Sequence, residues 1–149
     1  MNIISWLLLV IAGHIFGAYV FYFFHRYIFH GSLGDHVLLR SWKNIHTMHH
    51  ARPEDPSTFF FPVWASILIW SLTIACMLVS PPFFLGVMSF FPVYSYRHRK
   101  SHMGHDSTAS KHHMSHHNVK PRANFSGTYP FIDKVFGTYE PVLARVKRD

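Results

Sequence analysis

IISWLLLVIAGHIFGAYVFYFFHRYIFH, residues 3–30, changes character part-way along. From Ile3 to Phe24 it carries no charged side chain; it then gives way to His25-Arg-Tyr-Ile-Phe-His30. At ~1.5 Å of rise per residue, a helix through 3–24 crosses a hydrocarbon core roughly 30 Å thick. A secretory leader would need a basic start and a small-residue cleavage site, and the run has neither, so it reads as a retained anchor. His25 and His30 are five residues apart, about 140° around an ideal helix, so the helix is expected to distort or end near Gly31.

A second uncharged stretch, Phe59 to Tyr96, is interrupted by Ser80-Pro81-Pro82. Two adjacent prolines break a helix, so this stretch is expected to form a membrane hairpin with arms Phe59–Val79 and Phe83–Tyr96, or a re-entrant one if the short arm does not cross. Only 14% of the residues are charged, against roughly 25% in an ordinary soluble domain, which makes the bilayer the main solvent. All 14 Lys and Arg lie outside the two apolar stretches, and the net charge is +7. The excess of basic residues predicts that the water-exposed parts face the cytoplasm and that the N-terminus lies outside. No nucleic-acid motif accompanies the charge, so a nucleic-acid partner is not expected. Cys76, the single cysteine, excludes an intrachain disulfide or CxxC site and reads as a packing residue.

Ten of the 14 histidines fall in four boxes: His25/His30, His46/His49/His50, His98/His102 and His113/His116/His117. The H-x-x-H-H spacing puts three imidazoles on one helical face, where they can converge on a metal, and His98 and His102 do the same at i, i+4. The order of boxes, two-histidine then H-x-x-H-H, repeats on either side of residues 59–96. A hairpin with an even number of crossings returns both halves to the same side. Imidazole donors suit a first-row transition metal rather than magnesium or calcium. Ten ligands oversupply one ion, so two ions are expected, each with about five positions. The Glu and Glu-x-x-His pattern of carboxylate di-iron bundles is missing.

The remaining histidines read differently. His14 lies mid-membrane between Gly13 and Gly17, and is either functional or a bond across a helix interface, the second being favoured. His36 and His105 read as solvated surface. His112 competes with His113 as a ligand, and the repeat favours His113. Asp133 is either an outer partner of a ligand imidazole or a salt-bridge partner of Lys134 or Arg122. Tyr94, Tyr96, Phe125 and Tyr129 flank the boxes and either line an acyl tunnel or are aromatics of the membrane interface; no catalytic role is assigned to them.

From His25 to about Glu140 the chain resembles the fatty acid hydroxylase and sterol desaturase superfamily. The box order is similar, as is the tail Asn124-Phe-Ser-Gly127 followed by Asp133-Lys-Val-Phe136-Gly137-Thr138. The resemblance implies an all-α integral membrane fold of about three membrane helices, one plus a hairpin, under a cytosolic histidine-rich helical cap. It implies one domain over 1–149: a membrane helix at 3–24, boxes one and two at 25–58, the hairpin at 59–96, and boxes three and four with the tail at 97–149. It further implies two iron ions, molecular oxygen, a lipid substrate, and electrons from a separate ferredoxin or cytochrome b5 type carrier with its reductase. The same ligands accept zinc, which can replace iron during purification.

Larger members usually have two crossings before the first box, so this anchor is minimal and leaves room for a second copy of the chain as partner. Carotenoid hydroxylases are similarly short, with a more widely spaced third box; acyl desaturases share the boxes but are longer. The reading is therefore a lipid hydroxylase acting on a fatty acyl, sterol-like or isoprenoid chain. Its alternatives are a desaturase or carotenoid hydroxylase with the same centre, or a non-enzymatic membrane metal-binding protein.

Overall fold

The apolar run of the first segment forms helix α1, Ile3–Phe23, whose N-terminus is capped by the Asn2 side chain accepting from Ser5 N at 2.8 Å. The structure, a computed structural model, describes residues 1–59, 62–78 and 80–142. Positions 60, 61 and 79 of the expected hairpin and 143–149 of the tail lie outside the described residues, as does the side chain of Cys76. After α1 come α2 (Arg40–Ala51), α3 (Val63–Cys76), α4 (Pro81–His102), α5 (Thr108–Asn118) and α6 (Pro130–Val135). The described residues contain no strand.

Two segments among them are long and apolar enough to cross a membrane, Ile3–Phe29 and Pro56–Ile74. The expected third spanning helix is present as α4 but does not qualify on composition. Pro81 and Pro82 occupy its first turn, where a missing N–H costs nothing, so the pair starts a helix as well as ending the preceding one. α4 then runs without a break into Arg97-His98-Arg99-Lys100, so box three is its own last turns rather than a separate element.

α1 packs chiefly on α4, and glycine permits it. A Cβ on Gly13 would lie 1.8 Å from Phe83 O, and one on Gly86 would lie 2.0 Å from Val10 O. Along this seam His14 bonds through Nδ1 to Ser89 Oγ and through Nε2 to the Tyr129 hydroxyl, both at 2.7 Å. The Ser89 hydroxyl donates to Gly86 O at 2.6 Å, so it accepts from His14, which in turn accepts from Tyr129. His14 is thus a bond across a helix interface, with its second nitrogen reaching the tail. The opposite side of α1, including Leu7, Leu8, Ile11 and Ile15, is exposed, as a lipid-facing surface would be.

The core lies where the tail folds back on α1: Ala18, Phe21, Tyr22, Phe90, Phe125 and Ile132 are buried together. Phe136 stacks on Tyr22 at 4.8 Å, and the Tyr22 hydroxyl bonds Thr138 Oγ1 at 2.9 Å. Because the α1–α4 seam leaves no space for a methyl group, Gly86→Ala should cost about 1–3 kcal/mol as an overpacked contact. The measurement is the thermal midpoint of the detergent-solubilised protein; an unchanged midpoint would contradict the close approach.

Candidate metal centre

Box one is shaped by a change of helix type. Phe24–Phe29 forms a π-helical turn, and the His30 N–H reaches back to His25 O at 3.1 Å. The wider turn rotates each residue less than an α-helix does, so positions five apart come onto one side. The two rings lie with centroids 5.0 Å apart. The expected distortion is therefore a π turn, followed by the bend at His30 and Gly31.

The ten box histidines assemble into two groups of five. One contains His25, His30, His46, His50 and His116, the other His49, His98, His102, His113 and His117; within each, the nitrogens lie within 4.8 Å of one another. In the first group His46 Nε2 is 3.0 Å from His25 and 2.8 Å from His30, and His116 Nε2 is 3.1 Å from both His30 and His50. In the second, Nε2 separations are 3.0 Å for His49–His98, 3.2 Å for His98–His102 and 3.0 Å for His102–His113. The H-x-x-H-H boxes do not converge on one point as expected. Adjacent helical positions diverge by about 100°, so His46 and His50 join one group while His49 joins the other. Box four divides the same way, with His113 and His117 opposite His116. Between the groups the His50 and His117 rings stack at 4.1 Å.

His25 and His116 donate Nδ1–H to Phe125 O and Ala123 O, which leaves each Nε2 with an inward lone pair. Among the described residues neither nitrogen of buried His117 has a hydrogen-bond partner, an arrangement that costs about 1–3 kcal/mol per group unless something binds there. Burial first, and then neighbouring positive charge, holds His30 and His49 down to about 3 and His50 down to about 4; burial alone takes His102 to about 4. His46, His113 and His116 lie well below the ordinary value for the same reasons. These rings are neutral at physiological pH, the form a metal requires. All-imidazole groups of this kind suit a first-row transition metal.

His113 belongs to a group and His112 does not. Fully buried, His112 bonds Asp133 Oδ2 at 3.0 Å and stacks on Tyr139. Asp133 pairs with neither Lys134 nor Arg122, nor with a grouped imidazole. It accepts from Phe125 N, Ser126 N and Thr138 Oγ1, bonds that outweigh burial and keep its carboxyl below the usual value. His36 and His105 are exposed, as expected.

The sequence model of the fatty acid hydroxylase family matches residues 10–138. The chain belongs to the fatty acid hydroxylase family. Among curated relatives, it is 25% identical over 138 residues to a dihydroceramide fatty acyl 2-hydroxylase of Arabidopsis thaliana, covering 85% of this chain and 58% of the relative. To a fatty acid 2-hydroxylase of Mus musculus it is 28% identical over 153 residues, covering 93% of this chain and 41% of the relative. It thus spans about half the length of these relatives. No solved structure matches.

In this hydroxylase-family chain both groups border one small chamber of about 40 Å³, lined by His46, His49 and His98 with Phe29, Ile45, Thr58, Phe59, Tyr94 and Ser95. Phe29 also lines a cavity of about 370 Å³ between α1, α3 and α4, whose walls include Phe16, Val20, Phe24, Ile69, Leu72, Val87 and Phe91. Of the flanking aromatics expected to line a tunnel, only Tyr94 reaches the chamber. Phe125 packs on the rings of His25, His30 and His116, Tyr129 is bound to His14, and Tyr96 is exposed. Phe29, Thr58 and Phe59 carried no sequence signal, being single apolar or hydroxyl residues among many.

Because His30, His49, His50 and His102 resist protonation when folded, the unfolded chain binds more protons below pH 6.5. Stability of the metal-free protein is therefore complete above pH 6.5 and lost as pH falls toward 4, by up to about 1.4 kcal/mol per group and pH unit. Thermal midpoints of metal-stripped protein from pH 7.5 to 5 test this; a flat profile would contradict it.

Proposed function

We propose that this chain is a single membrane domain that holds two iron ions, one per imidazole group. With molecular oxygen and external electrons it would hydroxylate a C–H bond of a lipid. The observation that carries the reading is the pair of five-histidine groups facing one chamber that adjoins an apolar cavity among the helices. His25, His30, His46, His50 and His116 would hold one ion, and His49, His98, His102, His113 and His117 the other. Iron held in these groups would supply the oxygen-activating and hydrogen-abstracting chemistry. The chain's own part is positional. The Phe125 and Ala123 carbonyls orient His25 and His116, while Phe29, Phe59 and Tyr94 keep water from the chamber.

A fatty acyl chain fits the cavity best. Its walls follow α1 from Phe24 back to Phe16, about 12 Å of helix away from His25, and its volume is that of an ordinary ligand site. The hydrocarbon tail would lie along this path with its head at the histidines, so oxidation falls near the polar end. The names of both relatives, 2-hydroxylases of fatty acyl substrates, agree. In this reading the lipid enters from the bilayer, the N-terminus lies outside and the histidine cap is cytoplasmic. The basic cap attracts an acidic ferredoxin or cytochrome b5 type donor.

Expression with such a donor system under labelled oxygen, followed by mass spectrometry of lipids, tests the reaction. One labelled oxygen atom gained by an acyl lipid is expected; loss of two hydrogens would indicate desaturation instead. Purified protein should carry about two transition-metal ions per chain. His116→Ala should abolish product, His36→Ala should leave it, and Ile69→Trp should cut turnover at least tenfold without loss of metal. Lipids identical to those made with His116→Ala, across several donors, would return the chain to a metal-binding role.

A further inference from the structure

The two groups share a ligand set but differ in what stands behind it. Behind the first is the 123–127 loop, whose Phe125 and Ala123 carbonyls accept Nδ1–H from His25 and His116. That loop is held from several sides. Asp133, with no solvent exposure, accepts from Phe125 N at 2.8 Å, Ser126 N at 3.0 Å, His112 Nε2 at 3.0 Å and Thr138 Oγ1 at 2.8 Å. The Asn124 amide exchanges two bonds with the Glu140 backbone, at 3.0 and 2.8 Å, and its main chain takes the left-handed conformation at φ 59°.

Behind the second group the corresponding segment is 53–59, which follows box two as 123–127 follows box four. Among the described residues, His49 alone closes a side-chain hydrogen bond to it, through Thr58 Oγ1 at 3.2 Å. The backbone of Phe59 and of Pro53 approaches His98 and His102, without a hydrogen bond of ordinary geometry to either Nδ1. Nδ1 of His98, His102, His113 and His117 is buried without a hydrogen-bond partner among the described residues. Of the two carboxylates in this segment, Glu54 is exposed and Asp55, half-buried, bonds only Ser57 N among the described main-chain donors.

We infer that the two metal positions are unequal: Asp133, acting through the 123–127 loop, makes the His25/His30/His46/His50/His116 position the tighter, and the other fills last and empties first. The inference rests on the reading that both groups bind metal. A partner on Nδ1 fixes the ring and raises the basicity of the opposite nitrogen, and its loss typically costs 10–100-fold in affinity. Asp133→Asn would turn one acceptor oxygen into a donor facing N–H or O–H donors on every side, so the loop and its two carbonyls would shift. Asp133 is a positioning residue; it touches no metal.

The test is titration of the full-length, metal-stripped protein in detergent with zinc alone, against a chromophoric chelator. The wild type should bind two equivalents in phases at least tenfold apart. His25→Ala should remove the tight phase and His98→Ala the weak one. Asp133→Asn should weaken the tight phase 10–100-fold and leave the weak phase unmoved, and Thr138→Ala, which deletes one donor to Asp133, should act in the same direction by less. Should Asp133→Asn fail to fold, Thr138→Ala decides. Two equal phases in the wild type, or variants that weaken both phases together, overturn the inference while the two-metal reading stands. Binding of no zinc at all overturns both.

Discussion

Everything in this protein answers to one electrostatic constraint: ten neutral imidazoles are packed with nitrogen facing nitrogen at about 3 Å, within a chain that also has to bury apolar surface. Rings in that arrangement lose water and repel one another when protonated, so no single helix gathers them on its own. The scaffold does so by close packing elsewhere. Glycine seams bring α1 against α4 until backbone nearly touches side-chain positions, and the tail lies over the end of α1 with Phe136 on Tyr22. The bond chain through Ser89, His14 and Tyr129 ties that seam to the tail.

Much of the architecture was legible in the sequence because hydrophobicity and histidine spacing are local signals. The long apolar helix α1, the break at Pro81-Pro82 and the surface placement of His36 and His105 follow from them. What was not legible depends on direction in three dimensions. Spacing shows that His46, His49 and His50 share a side of a helix, but the two groups divide that side between them, and only the neighbouring helices show where the division falls. The i, i+5 pair in box one signalled a distortion without saying that it would be a π turn. α4 was read as a short arm because its charged end was assigned to another element, whereas the helix ladder ignores that change in composition.

Asp133 illustrates a harder limit. As a carboxylate near a ligand box it invited the reading of a direct partner or a surface salt bridge. It is instead fully buried and spends its acceptors on two backbone N–H groups, a hydroxyl and His112. A residue that acts through the shape of a loop leaves no pattern in spacing, because its partners come from places that only the folded tail brings together. The chamber residues Phe29, Thr58 and Phe59 were hidden for a similar reason.

The division of the boxes has a consequence for how the protein is made. Each group takes at least one imidazole from box four, His116 for one and His113 with His117 for the other. The carbonyls that orient His25 and His116 come later still in the chain. During synthesis from the N-terminus, neither group can be completed until α5 has emerged, and the first is not oriented until the tail through Thr138 has closed over it. Both cages therefore mature together once the tail has closed, so a nascent chain stalled between α3 and α4 presents scattered histidines instead of a half-built cage.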